Sequence, residues 1–129
     1  MFADEPVAEG DMVLEYRGVL IRHSVANERE KAYEAIRVGS DYMFRLDEHF
    51  VVDATSQGSL ARFVNHSCDP NCYTKIISHE GRRKIALYAK RPIFAGEELC
   101  YDYKFAIEHD PQAKIACHCG AANCRKFMN

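Results

Sequence analysis

The residues best suited to chemistry crowd the end of the chain. Three of its six cysteines lie in Cys117-His118-Cys119-Gly120-Ala121-Ala122-Asn123-Cys124, a C-x-C-x4-C spacing. Thiols this close cannot all pair, because a disulfide needs Cα atoms about 5.5 Å apart and a fixed dihedral. They can instead converge on one tetrahedral Zn2+ at roughly 2.3 Å each. A fourth ligand is then required, and Cys68, Cys72, Cys100 and His118 are the candidates. His118 would have to fold back on its own backbone between two ligands. Cys68 sits beside Asp69-Pro70-Asn71, a turn-rich stretch able to reach the tail. Disulfide and free thiol remain the competing readings, and a reducing compartment favours metal over disulfide. A centre closed by four sulfurs has no open position, so it would hold shape and leave the reaction to other groups. Arg125 and Lys126 follow directly and are placed to offset its negative charge.

Two further segments are dense in functional groups. Arg62-Phe63-Val64-Asn65-His66-Ser67-Cys68-Asp69-Pro70-Asn71 is rich in side chains that hydrogen-bond backbone or ligand. Asx turns would account for Asn65, Asp69 and Asn71, and a structural role for His66, as well as a binding loop would. Gly96-Glu97-Glu98-Leu99-Cys100-Tyr101-Asp102-Tyr103 sets two tyrosines at i and i+2, on one face if the segment is a strand. No G-x-x-x-x-G-K-[ST] or G-x-G-x-x-G loop is present, and no Ser/His/Asp or Cys/His nucleophile arrangement.

The elements that must carry these groups are short. Met12–Tyr16 and Val19–Ile21 read as strands parted at Arg17-Gly18, a bent strand or a hairpin. Ser24 is expected to cap a surface helix running to about Arg37, with Val25, Tyr33, Ile36 and the alanines as a weak apolar stripe. Strands are expected at Tyr42–Leu46, Phe50–Asp53, Cys72–Ile77, Lys84–Ala89 and Leu99–Tyr103, with turns at His79-Glu80-Gly81 and Ala95-Gly96. This pattern indicates a β-dominated α+β domain. The 129 residues suit one domain, and 47% hydrophobic against 28% charged residues argues against disorder.

A net charge of −2 gives sequence-specific nucleic-acid binding no global support. The charge is uneven: residues 1–20 sum to −4 and residues 75–92 to +5. The basic stretch suits the solvated face of a hairpin, or a docking stripe for an acidic partner. No apolar run approaches the roughly 18 residues of a membrane span, so no membrane role is expected. Acid in Met1-Phe2-Ala3-Asp4-Glu5-Pro6 argues against a secretory leader.

Taken in order, the segments at residues 62–71, 96–103 and 117–124 resemble a SET-domain protein lysine methyltransferase with its post-SET zinc segment. Tyr42-Met43-Phe44-Arg45-Leu46-Asp47, Val52-Asp53-Ala54-Thr55, Tyr103-Lys104-Phe105 and the ending Cys124-Arg125-Lys126-Phe127-Met128-Asn129 are similar to the trithorax and COMPASS class. The resemblance implies short strands in small sheets with a knot-like core, a SET domain over residues 1–105 and a zinc-stapled post-SET tail over 106–129. It also implies S-adenosylmethionine as cofactor, the histone H3 tail as substrate at lysine 4, a WD-repeat-containing core complex as partner, and the nucleus as location. By the same resemblance Cys68, Cys117, Cys119 and Cys124 would bind zinc. Asn65 and His66 would contact the cofactor, and His118 would face it. Tyr42 would line both the cofactor site and the lysine channel, Tyr103 would stand closest to methyl transfer, and Tyr101 would limit the number of methyls, giving a mono- and dimethyl bias. Cys72 and Cys100 receive no role, and Cys100 stands where the family more often has threonine. The resemblance also leads one to expect a glycine-containing cofactor loop just before the stretch that begins here at Phe2-Ala3; the sequence starts after that point, either because the chain is truncated there or because the loop is lacking. A catalytically weak or inactive module that binds a histone tail or partner is therefore the alternative.

Overall fold

The computed structural model describes residues 1–36 and 42–129. In order, its elements are β1 (Met12–Tyr16), β2 (Val19–Arg22), α1 (His23–Ala35), β3 (Met43–Arg45), β4 (Phe50–Asp53), a 3-10 turn (Leu60–Phe63), β5 (Asn65–His66), β6 (Cys72–His79), β7 (Arg82–Ala89) and β8 (Cys100–Tyr101). They form three small sheets, ordered β1-β7-β6, β2-β4-β3 and β5-β8. The strand-dominated α+β expectation holds. Among the described residues no helix is long and apolar enough to cross a membrane.

Most expected strands are present, with three local differences. Arg17-Gly18 separates β1 from β2, yet the two do not pair with each other: β1 neighbours β7 and β2 neighbours β4. Of the two readings, the break is therefore the bend, at which the chain changes sheet, and not a hairpin. Gly18 is required there, because a Cβ would lie 2.6 Å from the Asp53 carbonyl carbon and 2.8 Å from the Ala54 nitrogen. Secondly, Ser24 does not cap α1. The N-cap is Arg22 in extended conformation, with no side-chain cap bond. Strand β2, held by the Arg22↔Phe50 pair, runs into the helix without a connecting residue and leaves no position for a capping serine. The expected helix end at Arg37 lies outside the described residues. Thirdly, β8 stops at Tyr101, so Tyr103 is not on the strand.

The chain forms two compact units, Met1–Val13 with Phe63–Thr74 and Tyr88–Asn129, and Leu14–Arg62 with Lys75–Leu87. In the second, β4 is the central strand. Val19 and Met43 flank Asp53 across its two ladders, as Ile21 and Arg45 flank Val51. Directly opposed residues share a face, so Val19, Ile21, Met43, Val51 and Asp53 lie on one side of the sheet. The core is built there from Ile21, Val51 and Ala26 of α1, with Val19 and Met43 against them.

Among the described strand residues of this sheet Asp53 is the one carboxylate, and it is 1% exposed. Its Oδ2 accepts from Arg29 Nη1 and the Tyr33 hydroxyl at 2.9 Å each, and its Oδ1 from the Thr55 amide at 3.0 Å. Burial alone would raise this carboxyl; the Thr55 side chain and amide, Arg29 and Tyr33 outweigh it and hold it below the ordinary value. Next to it, the Ala54 amide donates to the Tyr42 carbonyl at 2.7 Å and the Ala54 carbonyl accepts from Arg62 at 3.0 Å. At the other end of the β3–β4 connection, Asp47 Oδ1 accepts the His49 and Phe50 amides at 2.8 and 2.9 Å. The β6–β7 hairpin turns through Glu80 (φ 51°) and Gly81 (φ 73°), where sequence places it.

In the first unit the amino-terminal segment runs antiparallel to residues 93–98 through Phe2↔Glu98 and Val7↔Ile93 bridges. The Ala95-Gly96 turn is closed by the Glu97 amide donating to the Phe94 carbonyl at 3.1 Å. Beyond β8 no further strand or helix forms, only the isolated Ala116↔Phe127 bridge.

Candidate functional site

The sulfurs of Cys68, Cys117, Cys119 and Cys124 all lie within 4.8 Å of one another. Cys68 Sγ is 3.8 Å from Cys117 Sγ and 4.0 Å from Cys124 Sγ, and all six cysteines are free. A regular tetrahedron of sulfurs with Zn–S bonds of roughly 2.3 Å has edges of about 3.8 Å. The donor set therefore fits Zn2+. Backbone amides are aimed at the same sulfurs: Arg125 N–H donates to Cys68 Sγ at 3.5 Å and Lys126 N–H to Cys124 Sγ at 3.4 Å. The Cys117 amide bonds the Lys126 carbonyl at 2.8 Å and closes the loop. The thiols differ in acidity. Amides of Cys68 and Ala121 pull Cys119 down, to about 6. Burial pushes Cys117 up, to about 12, so metal would have to displace its proton.

The other fourth-ligand candidates are not in this cluster. Cys72 is fully buried, and burial pushes its thiol to about 11, the state of an inert core cysteine. Cys100 Sγ contacts Asn71 Oδ1 at 3.6 Å. His118 is exposed between two clustered sulfurs.

A second group of residues gathers around β5 and β8, which pair in parallel with Asn65 opposite Cys100 and His66 opposite Tyr101. The ladder continues through the Ser67 amide to the Tyr101 carbonyl at 3.1 Å. Where it stops, side chains take over. The Tyr103 amide donates to His66 Nδ1 at 3.1 Å, and the Tyr103 hydroxyl donates to the Val64 carbonyl at 2.6 Å. Ring centroids of Tyr101 and Tyr103 are 4.8 Å apart, those of His66 and Tyr103 5.3 Å, and those of Tyr103 and Phe105 5.5 Å. Tyr101 and His66 are buried, while Asn65 is exposed with its amide on Glu98 Oε2 at 3.0 Å. Burial lowers the His66 pKa, with Asp102 pulling the other way. Tyr42, half-buried, belongs to the second unit and is held through its carbonyl by Ala54.

Asn71, Asp102 and Arg125 have roles in this geometry that sequence reasoning did not give them. Asn71 makes no Asx turn. Its side chain accepts the Cys100 amide at 3.0 Å and donates to the Glu98 carbonyl at 2.8 Å, fixing the start of β8. The local turn is made by Ser67, whose hydroxyl accepts the Asp69 amide at 3.1 Å. Asp102 is gripped by Arg125 through a bidentate pair at 2.9 and 3.1 Å, so the Arg125 guanidinium, expected to offset the sulfurs, is committed chiefly to a carboxylate. The arginine's position after Cys124 was the only sequence signal for that clamp.

A family model described as SET domain matches residues 1–104. Histone-lysine N-methyltransferase ATXR7 of Arabidopsis thaliana is 57% identical over 123 residues, 95% of this chain and 8% of that protein. A Schizosaccharomyces pombe protein named histone-lysine N-methyltransferase, H3 lysine-4 specific, is 54% identical over all of this chain and 14% of its own length. Human histone-lysine N-methyltransferase SETD1B is 51% identical over all of this chain and 6% of its own. The chain thus spans a small fraction of the curated relatives it matches.

Proposed function

The chain belongs to the SET-domain family, and from that premise we propose that it transfers methyl groups from S-adenosylmethionine to a histone lysine amine, at lysine 4 of histone H3. The observation that carries the reading is the aromatic set around Tyr103, whose hydroxyl is oriented by the Val64 carbonyl. The cofactor suits these residues, since aromatic faces attract a cationic sulfonium and an exposed Asn65 amide and His118 ring can take its polar groups. When bound, it supplies the electrophilic methyl. The remaining work falls to the protein. A lysine amine attacks only when neutral, and with a pKa of about 10.4 only about one in a thousand is neutral at pH 7.4. Burial against Tyr101 and Tyr103 disfavours the ammonium and lowers that pKa. The Tyr103 oxygen can accept an amine N–H and turn the nitrogen lone pair toward the methyl, which is the alignment that accelerates such displacements. Tyr42 joins this set on the family likeness alone.

Tyr101, packed beside Tyr103, fills space where added methyls would go, which supports a mono- and dimethyl product. In this reading the SET domain occupies residues 1–105. The post-SET tail of 106–129 holds structural zinc on Cys68, Cys117, Cys119 and Cys124. The protein acts in the nucleus on the H3 tail, within a complex containing a WD-repeat subunit. The test is radiolabelled methyl transfer to an H3 tail peptide in the presence of partner subunits, with Tyr103→Phe alongside. Wild-type incorporation falling by about 100-fold or more in the variant is expected. Equal inactivity of both would leave the histone-binding alternative standing in its place.

A further inference from the structure

Two features meet at one imidazole. The Tyr103 amide donates to His66 Nδ1 at 3.1 Å, while His66 Nε2 stands 3.5 Å from Cys68 Sγ. A ring nitrogen that accepts an N–H cannot itself carry a proton, so the proton of the neutral ring sits on Nε2 and points at the sulfur. The surroundings favour that tautomer. Asp102 Oδ1 lies 3.7 Å from Nδ1 and would otherwise draw the proton there, but both its oxygens are engaged by the Arg125 fork. The ring is buried, with its side chain 2% exposed, and meets the Tyr103 ring edge to face.

We propose that His66 is a positioning residue that ties the four-cysteine centre to Tyr103, its Nε2–H donating to the Cys68 sulfur and its Nδ1 accepting the Tyr103 amide. It stands where the β5–β8 ladder runs out of backbone partners and extends it by one bond, onto the residue whose hydroxyl is set by Val64. An N–H···S bond to a metal-bound thiolate orients the ligand as outer-shell donors do at metal sites. The metal centre and the phenol are thereby linked through a single side chain. This rests on the reading of Cys68 as a zinc ligand and Tyr103 as the methyl-transfer residue.

The test separates the two ring nitrogens. In zinc-loaded protein, long-range 1H–15N spectra of the His66 ring are expected to show the Nε2–H tautomer. Asparagine places its amide near the Nδ1 position and glutamine near Nε2, so the two substitutions delete opposite halves of the link. His66→Asn, lacking the donor to Cys68, is expected to weaken zinc retention against a chelator by about 10–100-fold. His66→Gln keeps that donor, so its zinc retention is expected within about threefold of wild type, while kcat on the H3 peptide falls about 10-fold or more with peptide KM little changed. An Nδ1–H tautomer in the wild-type spectrum overturns the proposal, as does equal zinc loss from both variants or undiminished kcat in His66→Gln. The spectrum needs no variant to fold, and neither it nor the zinc measurement depends on methyl transfer. An inactive wild type would therefore refute the proposed function and leave the coupling separately decided.

Discussion

Replacing Asp53 by asparagine isolates the buried carboxylate that fastens α1 to β4. The carboxylate offers two acceptor oxygens: Arg29 and Tyr33 donate to Oδ2 and the Thr55 amide to Oδ1. Asparagine keeps one oxygen. If that oxygen faces Thr55, its NH2 faces Arg29, which has no acceptor, and Tyr33, whose hydroxyl can rotate to accept. If it flips, the NH2 opposes the Thr55 amide, and a buried donor left unpaired costs about 1–3 kcal/mol. The first orientation is preferred, because the Arg29 side chain is 36% exposed and can turn to water. What remains lost is the charge-assisted character of the bonds, and we expect Asp53→Asn to destabilise by about 2 kcal/mol at pH 7. At this chain length that corresponds to a fall in Tm of roughly 6–10 °C.

The pH dependence gives a second, independent reading. The folded Asp53 carboxyl is held below its ordinary value. Its contribution is therefore fully present above the ordinary aspartate range and is lost as pH falls through the depressed folded value. The asparagine variant has no such group, so the stability gap between the two proteins is expected to hold from pH 7 to about pH 5 and to narrow below about pH 4. Thermal unfolding of zinc-loaded protein followed by circular dichroism at pH 7, 5, 4 and 3 measures it. Acid release of zinc affects both proteins and cancels in the difference. A gap under about 0.5 kcal/mol at pH 7, or one that stays constant to pH 3, would refute the assignment of Asp53 as an ionised hub.

Other outcomes follow from the same geometry. Gly18→Ala places a methyl 2.6 Å from the Asp53 carbonyl carbon and 2.8 Å from the Ala54 nitrogen, and should cost about 2–3 kcal/mol, read as a lower urea midpoint. Wild-type stability would show that the β2–β4 approach is looser than the structure has it. Freshly purified reduced protein should carry one zinc per chain by elemental analysis, and chelation should lower Tm; Cys68→Ser should lose metal, whereas Cys72→Ser should retain it. Tyr101→Phe, removing a hydroxyl beside Tyr103, should shift the product on an H3 peptide toward trimethyl-lysine by mass spectrometry. A wild type that already makes chiefly trimethyl-lysine would refute that role for Tyr101.

Much of the fold was legible because it rests on short-range signals. Met12–Tyr16 and Phe50–Asp53 appear with the bounds their β-rich composition indicates, and the Glu80-Gly81 turn is where residues tolerant of positive φ stand between two strands. The errors arose where tertiary pairing overruled local preference. Ser24 is a good cap by type, but strand pairing of Arg22 carries the chain into the helix before a cap can act. Arg17-Gly18 fitted a bent strand or a hairpin equally by type, and the close approach of the glycine to the Asp53–Ala54 backbone goes with the bend and excludes the hairpin. Nothing within a few residues of either position encodes the partner that decides it.

The candidate site divides along the same line. The C-x-C-x4-C spacing is a local statement about three sulfurs, so it was readable; the fourth sulfur, 49 residues upstream of Cys117, was one of four candidates by residue type and was chosen among them only by family resemblance. Asn71, Asp102 and Arg125 were illegible for a related reason. Each is an ordinary polar residue whose side chain acts across 23 to 29 residues of sequence, and type alone fits a turn or a solvated surface equally well. The structure changes their meaning because it makes them mutually dependent. Asn71 fixes the start of β8, β8 aligns Tyr101 with His66, and His66 accepts the amide of Tyr103. Arg125, adjoining the last clustered cysteine, grips the Asp102 that lies between the two tyrosines. Tail, loop and tyrosine segment are thus ordered together, and a substitution in any one of them should be felt at the Tyr103 hydroxyl even where it touches neither metal nor substrate.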